Sequence, residues 1–319
     1  MFLRLVMTIL LISAGLFPQI SHAQEIRASY SGVSGQNLPF WVTYEAGLFK
    51  KYGVNTELVL ISGGLTNIQG LLANEIAFAY LGGSSPIQAI LQGAELVILA
   101  TAYGLMPYGM VTSKAIHSAA ELQGKRIAVS RIGGIEETAA RVALDKLGVG
   151  ARNVTFLQTG PDPVRIAAIE SGAASATMLA PPGLFAATSR GLNMLADLGS
   201  LKVRYPTSVI VAGRSYLTQR RPVAKKFLMG MVEGLDLYHQ NKSFAVQVLQ
   251  KYTKQSSPDI LSQTYDYFAK NTPAIPLTDP DAIESALALE KPGRKVEDFY
   301  DNSILEELTQ EGFIKKLAK

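Results

Sequence analysis

The 319-residue chain is 48% hydrophobic and 18% charged, which supplies apolar material for two ordinary domains and excludes global disorder. Its net charge of +4 is spread along the chain without a basic block, which argues against a nucleic-acid partner. There is no cysteine, which excludes disulfides, a thiolate metal site and a cysteine nucleophile.

At the N-terminus Arg4 precedes a 13-residue apolar run, Leu5–Phe17, and Ser21-His22-Ala23 matches a small-x-small cleavage site. The run is shorter than the ~20 residues a spanning helix needs. The expectation is a signal peptide over residues 1–23 and an exported, soluble mature chain beginning at Gln24. Without a cysteine there, no lipid attachment of the bacterial lipoprotein type is expected.

Ile26–Tyr30 reads as the first strand, followed by the turn-rich loop Ser31–Asn37. Leu38, Trp41, Val42, Ala46, Leu48, Phe49 and Tyr52 recur three and four apart, the spacing of one apolar helix face, with Gly53 as its stop. Thr56–Ile61 is a buried strand. Gly63-Gly64 turns into a helix over Leu65–Leu72, Ile76–Tyr80 is another strand, and Gly82-Gly83-Ser84-Ser85 opens a helix at Pro86. Leu96–Ala102 is a continuous apolar strand. Tyr103–Gly109 breaks the pattern, which places a first crossover between domains there. Strands alternating with helices imply parallel sheets covered by helices, so each glycine turn sits at the carboxyl end of a strand, where open α/β sheets bind ligands.

A second set of the same units follows. Arg126–Ser130 is a strand, Arg131–Gly134 a turn, Glu136–Leu147 a helix, Val154–Gln158 a strand, Val164–Ser171 a helix and Ala176–Leu179 a strand leading into Ala180-Pro181-Pro182-Gly183. Asn193–Asp197 is a further strand. Gly53 and Gly148 stand 95 residues apart, Asn74 and Ser171 97, and this echo suggests two domains of one topology. Ser208–Ala212 returns the chain to the first domain. Pro222–Asn241 is a long helix carrying the apolar stripe Val223, Phe227, Leu228, Met231, Val232, Leu235 and Tyr238. Residues 242–319 read as shorter helices separated by prolines.

The run PFWVTYEAGLFKKYGVNTELVLISGG, with LLANEIAFAYLGGSSP, ELQGKRIAVSRIGG and the segment Val164–Pro182, resembles the substrate-binding proteins of ABC importers. The family is that of the nitrate, taurine and aliphatic-sulfonate receptors and the thiamine-pyrimidine-precursor binders. The resemblance runs from about Ile26 to Phe313. It implies an α/β type II periplasmic-binding-protein fold, two lobes joined by two crossovers around a central cleft: lobe 1 over 24–105 and 209–319, lobe 2 over 106–208. It also implies a monomeric periplasmic receptor without cofactor, whose partners are a small-molecule ligand and the membrane permease. The enzymatic pyrimidine-synthase branch carries a cysteine-rich motif and a reactive histidine, and this chain has no cysteine.

Candidate ligand contacts follow from the turns. Gly83, Ser84 and Ser85 offer helix N-terminal amides and hydroxyls to an anion, or serve only as a capped turn. Arg131 with Gly133 and Gly134 is the equivalent turn of the second lobe, and the guanidinium gives paired donors for a carboxylate or sulfonate. Ser34, Gln36 and Asn37 follow the first strand, and Thr66 follows Gly63-Gly64. Tyr103 and Tyr108 flank the crossover and either line the cleft or pack in the hinge. Arg165 caps the cleft from its helix start, while Trp41 belongs to the apolar stripe and packs in the core. His117 and His239 have no partner at metal-ligand spacing, and no metal is expected. No catalytic residue is assigned. The competing class is an exported enzyme or sensor receptor on the same fold, for which Glu136-Glu137 is the one suggestive acid pair, although two acids in a first helical turn also simply suit the helix dipole. Intact-mass measurement of the exported protein is expected to show a chain starting at Gln24; a membrane-bound product retaining residues 1–23 would contradict it.

Overall fold

The computed structural model describes residues 24–290 and 294–317; the expected signal peptide lies outside them. Two five-stranded sheets carry the fold. The first contains β1 (Gln24–Tyr30), β2 (Val54–Leu60), β3 (Phe78–Leu81), β4 (Leu96–Leu105) and β10 (Arg204–Gly213) in the order β2-β1-β3-β10-β4. The second contains β5 (Gly109–Thr112), β6 (Arg126–Val129), β7 (Thr155–Gln158), β8 (Ala176–Leu179) and β9 (Asn193–Asp197) in the order β7-β6-β8-β5-β9. The echo seen in the sequence is therefore a repeat of strand order. In each sheet three strands run parallel, and one strand arriving from the other half, β10 or β5, pairs antiparallel in the fourth place.

Helices α1 (Leu38–Glu45), α2 (Leu48–Lys51), α3 (Gly64–Leu72) and α4 (Ser84–Leu91) belong to the first half, and α5 (Ile135–Lys146), α6 (Asp162–Glu170) and α7 (Gly183–Ser189) to the second. The C-terminal part adds α8 (Arg214–Gln240), α9 (Lys242–Thr253), α10 (Pro258–Ala269), α11 (Pro280–Glu290), α12 (Ser303–Gln310) and α13 (Phe313–Leu317).

The single helix expected over 38–52 is two, because Gly47 takes a left-handed φ of +68° that ends the first and aims the second across the sheet. Tyr103–Gly109 does not break the strand at Tyr103. β4 runs on to Leu105, and the ladder then passes through the crossover itself: Arg204 pairs with Leu105, the Met106 amide donates to Val203 O at 2.9 Å, and the Leu198 amide donates to Tyr108 O at 2.9 Å. The long helix starts eight residues early, at Arg214. Arg220 is non-helical, and Pro222 stands in the first turn of the segment after that break. Helix α7 was not expected, its sequence being short and rich in alanine.

The first core is aromatic. Phe227 of α8 stacks on Phe78 (centroids 4.1 Å apart) and on Phe49 (4.3 Å), while Phe40 stacks on Tyr80 at 4.7 Å. Trp41 is fully buried, as its place on the stripe requires, and stacks on Tyr252 at 4.4 Å. A second apolar cluster runs from Leu81 and Ile87 through Met106 and Tyr108 to Met110 and Ile135, so apolar packing is continuous through the crossover. Helix α8 reaches α1 and α2 through two glycines one turn apart. A Cβ on Gly234 would meet the Thr43 side chain at 1.9–2.7 Å, and one on Gly230 would meet Phe49 at 3.0 Å. Gly234→Ala is expected to lower stability by about 1–3 kcal/mol, the range for overpacking, although alanine is the better helix former by about 1 kcal/mol. Urea unfolding checks the sign.

Candidate functional site

A cavity of about 1060 Å³ lies between the two sheets. It is lined at the carboxyl ends of β1, β2 and β3 from one side and of β6, β7 and β8 from the other. Parallel pairing puts all six ends on the facing edges of the sheets, so the turns that follow them converge.

Of the residues singled out in the sequence, Ser34, Gln36, Asn37, Ser84, Ser85, Tyr108, Arg131, Gly134 and Arg165 line this cavity. Four do not. Tyr103 turns away and packs edge-on against Phe268 at 5.2 Å, taking the hinge-packing alternative. Gly83 backs onto the crossover strand: its amide donates to Pro206 O at 3.0 Å, and a Cβ there would meet that oxygen at 2.2 Å. Gly133 gives its amide to the Glu137 carboxylate at 2.7 Å. Thr66 stands beside the rim, 3.5 Å from Arg131 Nη1.

The loop after β1 is built to hold its shape. Asn37 Nδ2 donates to Gly32 O at 2.6 Å, so this side chain braces the loop and does not face a ligand with free donors. The Gly35 amide and the Ser34 hydroxyl both reach Pro181 O across the cavity, at 3.0 and 3.4 Å. Arg131 also spans it: its side chain lies on Gly63, where a Cβ would meet the Arg131 Cδ at 2.5 Å. On the second lobe the turn amides are taken. Ile132 N donates to Gln158, Gly133 N to Glu137 and Gly134 N to Arg131 O. The backbone anion cradle expected at Gly133-Gly134 is thus closed by the protein's own acceptors.

Among the described residues, the cavity wall holds one buried charged group. Arg165 is 2% exposed, whereas its neighbours Glu136 and Asp162 are 20% and 27% exposed. Arg165 Nη2 pairs with Asp162 Oδ1 at 2.5 Å and donates to Met178 O at 3.3 Å; Nη1 donates to Gly160 O at 3.1 Å and stands 3.9 Å from Glu136 Oε1. Glu136 Oε2 accepts the Ser130 hydroxyl at 2.6 Å. Desolvation raises the Asp162 carboxyl above its ordinary value; Arg165 opposes the rise and the Glu136 charge adds to it. Burial likewise pushes the Tyr108 phenol well up, with the Glu136 charge contributing, so this hydroxyl stays neutral in the cavity wall.

Sequence reasoning missed three parts of the wall. Glu136 stands in the sequence only as half of a suggestive acid pair or as a helix-dipole acid, not as a ligand contact, and Asp162 is not singled out. Residues 252–256, after α9, come from the far end of the chain. Only Asp162, in a turn after a strand, carried a local signal; the others depend on packing between distant segments.

Arg165→Met is expected to cost about 1–3 kcal/mol, because it leaves the partly buried Asp162 and Glu136 carboxylates without the cation they share. With Arg165 gone, the folded Asp162 carboxyl rises further above its unfolded value. The folded state then binds more protons, so the deficit shrinks as pH falls through that raised value. Urea denaturation at pH 7 and pH 5 measures both effects.

A family model described as "NMT1/THI5 like" matches residues 35–244. A Brucella abortus (strain 2308) protein described as a candidate binding protein is 22% identical over 218 residues, a stretch covering 67% of this chain and 66% of that protein, so the match spans just under two thirds of the relative's length. Among solved structures, the ligand-binding component of an ABC-type import system from Staphylococcus aureus, determined with zinc bound, superposes with a TM-score of 0.74 at 16% identity, over 89% of this chain and 98% of that one. The alkanesulfonate-binding protein SsuA of Xanthomonas axonopodis pv. citri, bound to MOPS, gives 0.70 at 19% identity, over 83% and 90%. The fold is that of the periplasmic binding proteins. Among the described residues no group of three His, Cys, Asp or Glu side chains comes together that could hold a metal ion. The matched region exceeds half the chain, and on that ground the protein belongs to the NMT1/THI5-like family.

Proposed function

We propose that this protein is the solute receptor of an ABC importer, which captures a small organic carboxylate or sulfonate between its lobes and delivers it to a membrane permease. One observation carries the reading: the cavity is walled by the strand ends of two separate sheets, so a ligand in it bridges both. Bridging makes ligand affinity and lobe closure one equilibrium, because a ligand that touches both walls binds the closed form better than the open one. The permease then reads the closed form. We assign lobe 1 to 24–105 with the C-terminal helices and lobe 2 to the intervening segment. The second boundary is placed at Arg204, where β10 begins, ahead of the 208/209 position read from the sequence. A monomer exported to the periplasm by the signal peptide over 1–23 fits this role.

The anionic class is supported by the lining charges, which comprise Arg131, Arg165, Arg190 and Lys254 against Glu136 and Asp162. Among the described residues, no carboxylate lies within ion-pair distance of Arg131 or Lys254. Room for an apolar or aromatic body comes from Tyr252, Ala180, Pro182 and Ala186, with Tyr252 taking the place expected for Tyr103. A receptor is favoured over an enzyme because the acid pair is engaged. Glu137 binds Gly133 N and Arg141, while Glu136 binds the Ser130 hydroxyl.

Calorimetry against a panel of alkyl and aryl carboxylates and sulfonates tests the proposal. Arg131→Ala is expected to weaken binding by about 1.5–3 kcal/mol, the range for a charge-assisted hydrogen bond. Small-angle scattering should show the radius of gyration falling as the ligand saturates. A panel in which only cations or neutral sugars bind would overturn the anionic class, and a ligand recovered chemically changed after incubation would overturn the receptor.

A further inference from the structure

Helix α10 belongs to the C-terminal helices of the first lobe, yet one face of it rests on the second. The Tyr267 ring stands edge-on to Phe185 of α7, with centroids 6.0 Å apart. Its phenol oxygen sits on Gly199, in the connection that returns the chain from β9 to β10. A Cβ at Gly199 would lie 1.9 Å from that oxygen and 3.0 Å from Tyr267 Cζ. Gly199 is not among the glycines with a left-handed φ, so what the site excludes is the volume of a side chain and not its backbone conformation.

The same helix also holds the wall of its own lobe. Thr264 and Phe268 press on Gly35, where a Cβ would meet each of them at 2.6 Å, and the Gly35 amide donates to Pro181 O of the second lobe at 3.0 Å. Both sides of the seam between α7 and α10 border the cavity: Gly183 and Ala186 on α7, Gln255 and Ser256 just ahead of α10. At its outer end the seam stands apart, where a second space of about 640 Å³ separates Thr188 and Ser189 from Asp259, Ile260 and Gln263. The two helices therefore touch beside the crossover and diverge away from it, and a rotation that opens the cavity parts Tyr267 from Phe185 and Gly199. The Tyr267 hydroxyl is buried with no hydrogen-bond partner among the described residues, since the nearby Asp197 carboxylate accepts from the Gly199 and Ser200 amides and from the Ser200 hydroxyl. An unpaired buried hydroxyl is a cost, so the contact is held by the ring and by shape.

We propose that Tyr267 is a positioning residue for ligand capture: seated in the notch at Gly199, it straps α10 to the second lobe and sets the ratio of closed to open forms without touching the ligand. This rests on the receptor reading above and deepens it. A ligand that binds the closed form has an apparent affinity scaled by the fraction of molecules already closed. The fit at Gly199 therefore tunes affinity from outside the cavity, whose lining does not include Tyr267.

The chain has no cysteine, so Leu65→Cys with Val164→Cys places two spin labels cleanly. Both residues are exposed, at the starts of α3 and α6, on turns that face each other across the cavity mouth. Their separation is measured by double electron–electron resonance on the purified protein after exhaustive dialysis, with no solute added. Gly199→Ala is expected to drive the phenol from its notch, lengthen the separation and lower the closed-to-open ratio about tenfold. Tyr267→Phe keeps the ring and drops the unpaired hydroxyl, and is expected to leave the separation unchanged or shorter. Tyr267→Ala is expected to lengthen it, and in that background Gly199→Ala should add nothing, because the two changes act through one contact. Tyr267→Ala serves alone if Gly199→Ala does not fold. Equal separations in the parent, Gly199→Ala and Tyr267→Ala proteins overturn the strap, as does a lengthening by Gly199→Ala that persists without Tyr267. Neither result touches the receptor reading, which stands or falls on the ligand panel above.

Discussion

The two halves of this molecule depend on one antiparallel ladder. β4 and β10 pair along the first sheet and stay hydrogen-bonded through the crossover, by Met106 to Val203 and Leu198 to Tyr108, until β5 and β9 take over in the second sheet. A pair of strands joined in this way bends and twists far more easily than it shears, because shear breaks several bonds at once. Apolar packing is continuous across it, from Leu81 through Met106 to Met110. The joint therefore resists sliding of one half past the other, and the closure proposed above would draw on its bending.

The site follows from that joint. Each sheet is parallel where it faces the cavity, so its strand ends and their turns point the same way. The loops touch across the gap through small elements: Ser34 and Gly35 on Pro181, Ile135 over Gly82, and Arg131 over Gly63. A Cβ at Gly63 or Gly82 would occupy the space of the opposing side chain. Close approach of the lobes thus needs glycine at these turns for reasons of volume, and at Gly63 also for its left-handed φ of +85°.

Much of the fold was legible because the chain obeys local rules. The strand ending at Leu179, the glycine turns at 63, 82 and 133, and the repeated spacing all come from short-range pattern, and the structure places them as two sheets of one strand order. The errors share a cause. Tyr103–Gly109 looked like a break because its glycines and proline outweigh its pattern, but pairing with β10 holds it extended. The amides of Gly133 and Gly134 looked free because Gln158 is distant in sequence and because Glu137 folds back on its own turn. Tyr252 and the residues after it reach the cavity only because α9 packs on α1. Which acids and hydroxyls share a wall is set by tertiary packing, and no local pattern encodes it.

The chain contains one tryptophan, Trp41, with no solvent exposure, and its ring lies flat on Tyr252 at 4.4 Å and edge-on to Tyr30 at 5.7 Å. Tyr252 is itself part of the cavity wall, and its hydroxyl is tied to Glu45 at 2.7 Å. All indole emission from the chain therefore originates one aromatic layer behind the cavity wall, at a ring with no solvent exposure. Any solute that displaces Tyr252 alters the stack and hence the spectrum, so the molecule carries its own optical gauge of occupancy without a dye or an engineered label.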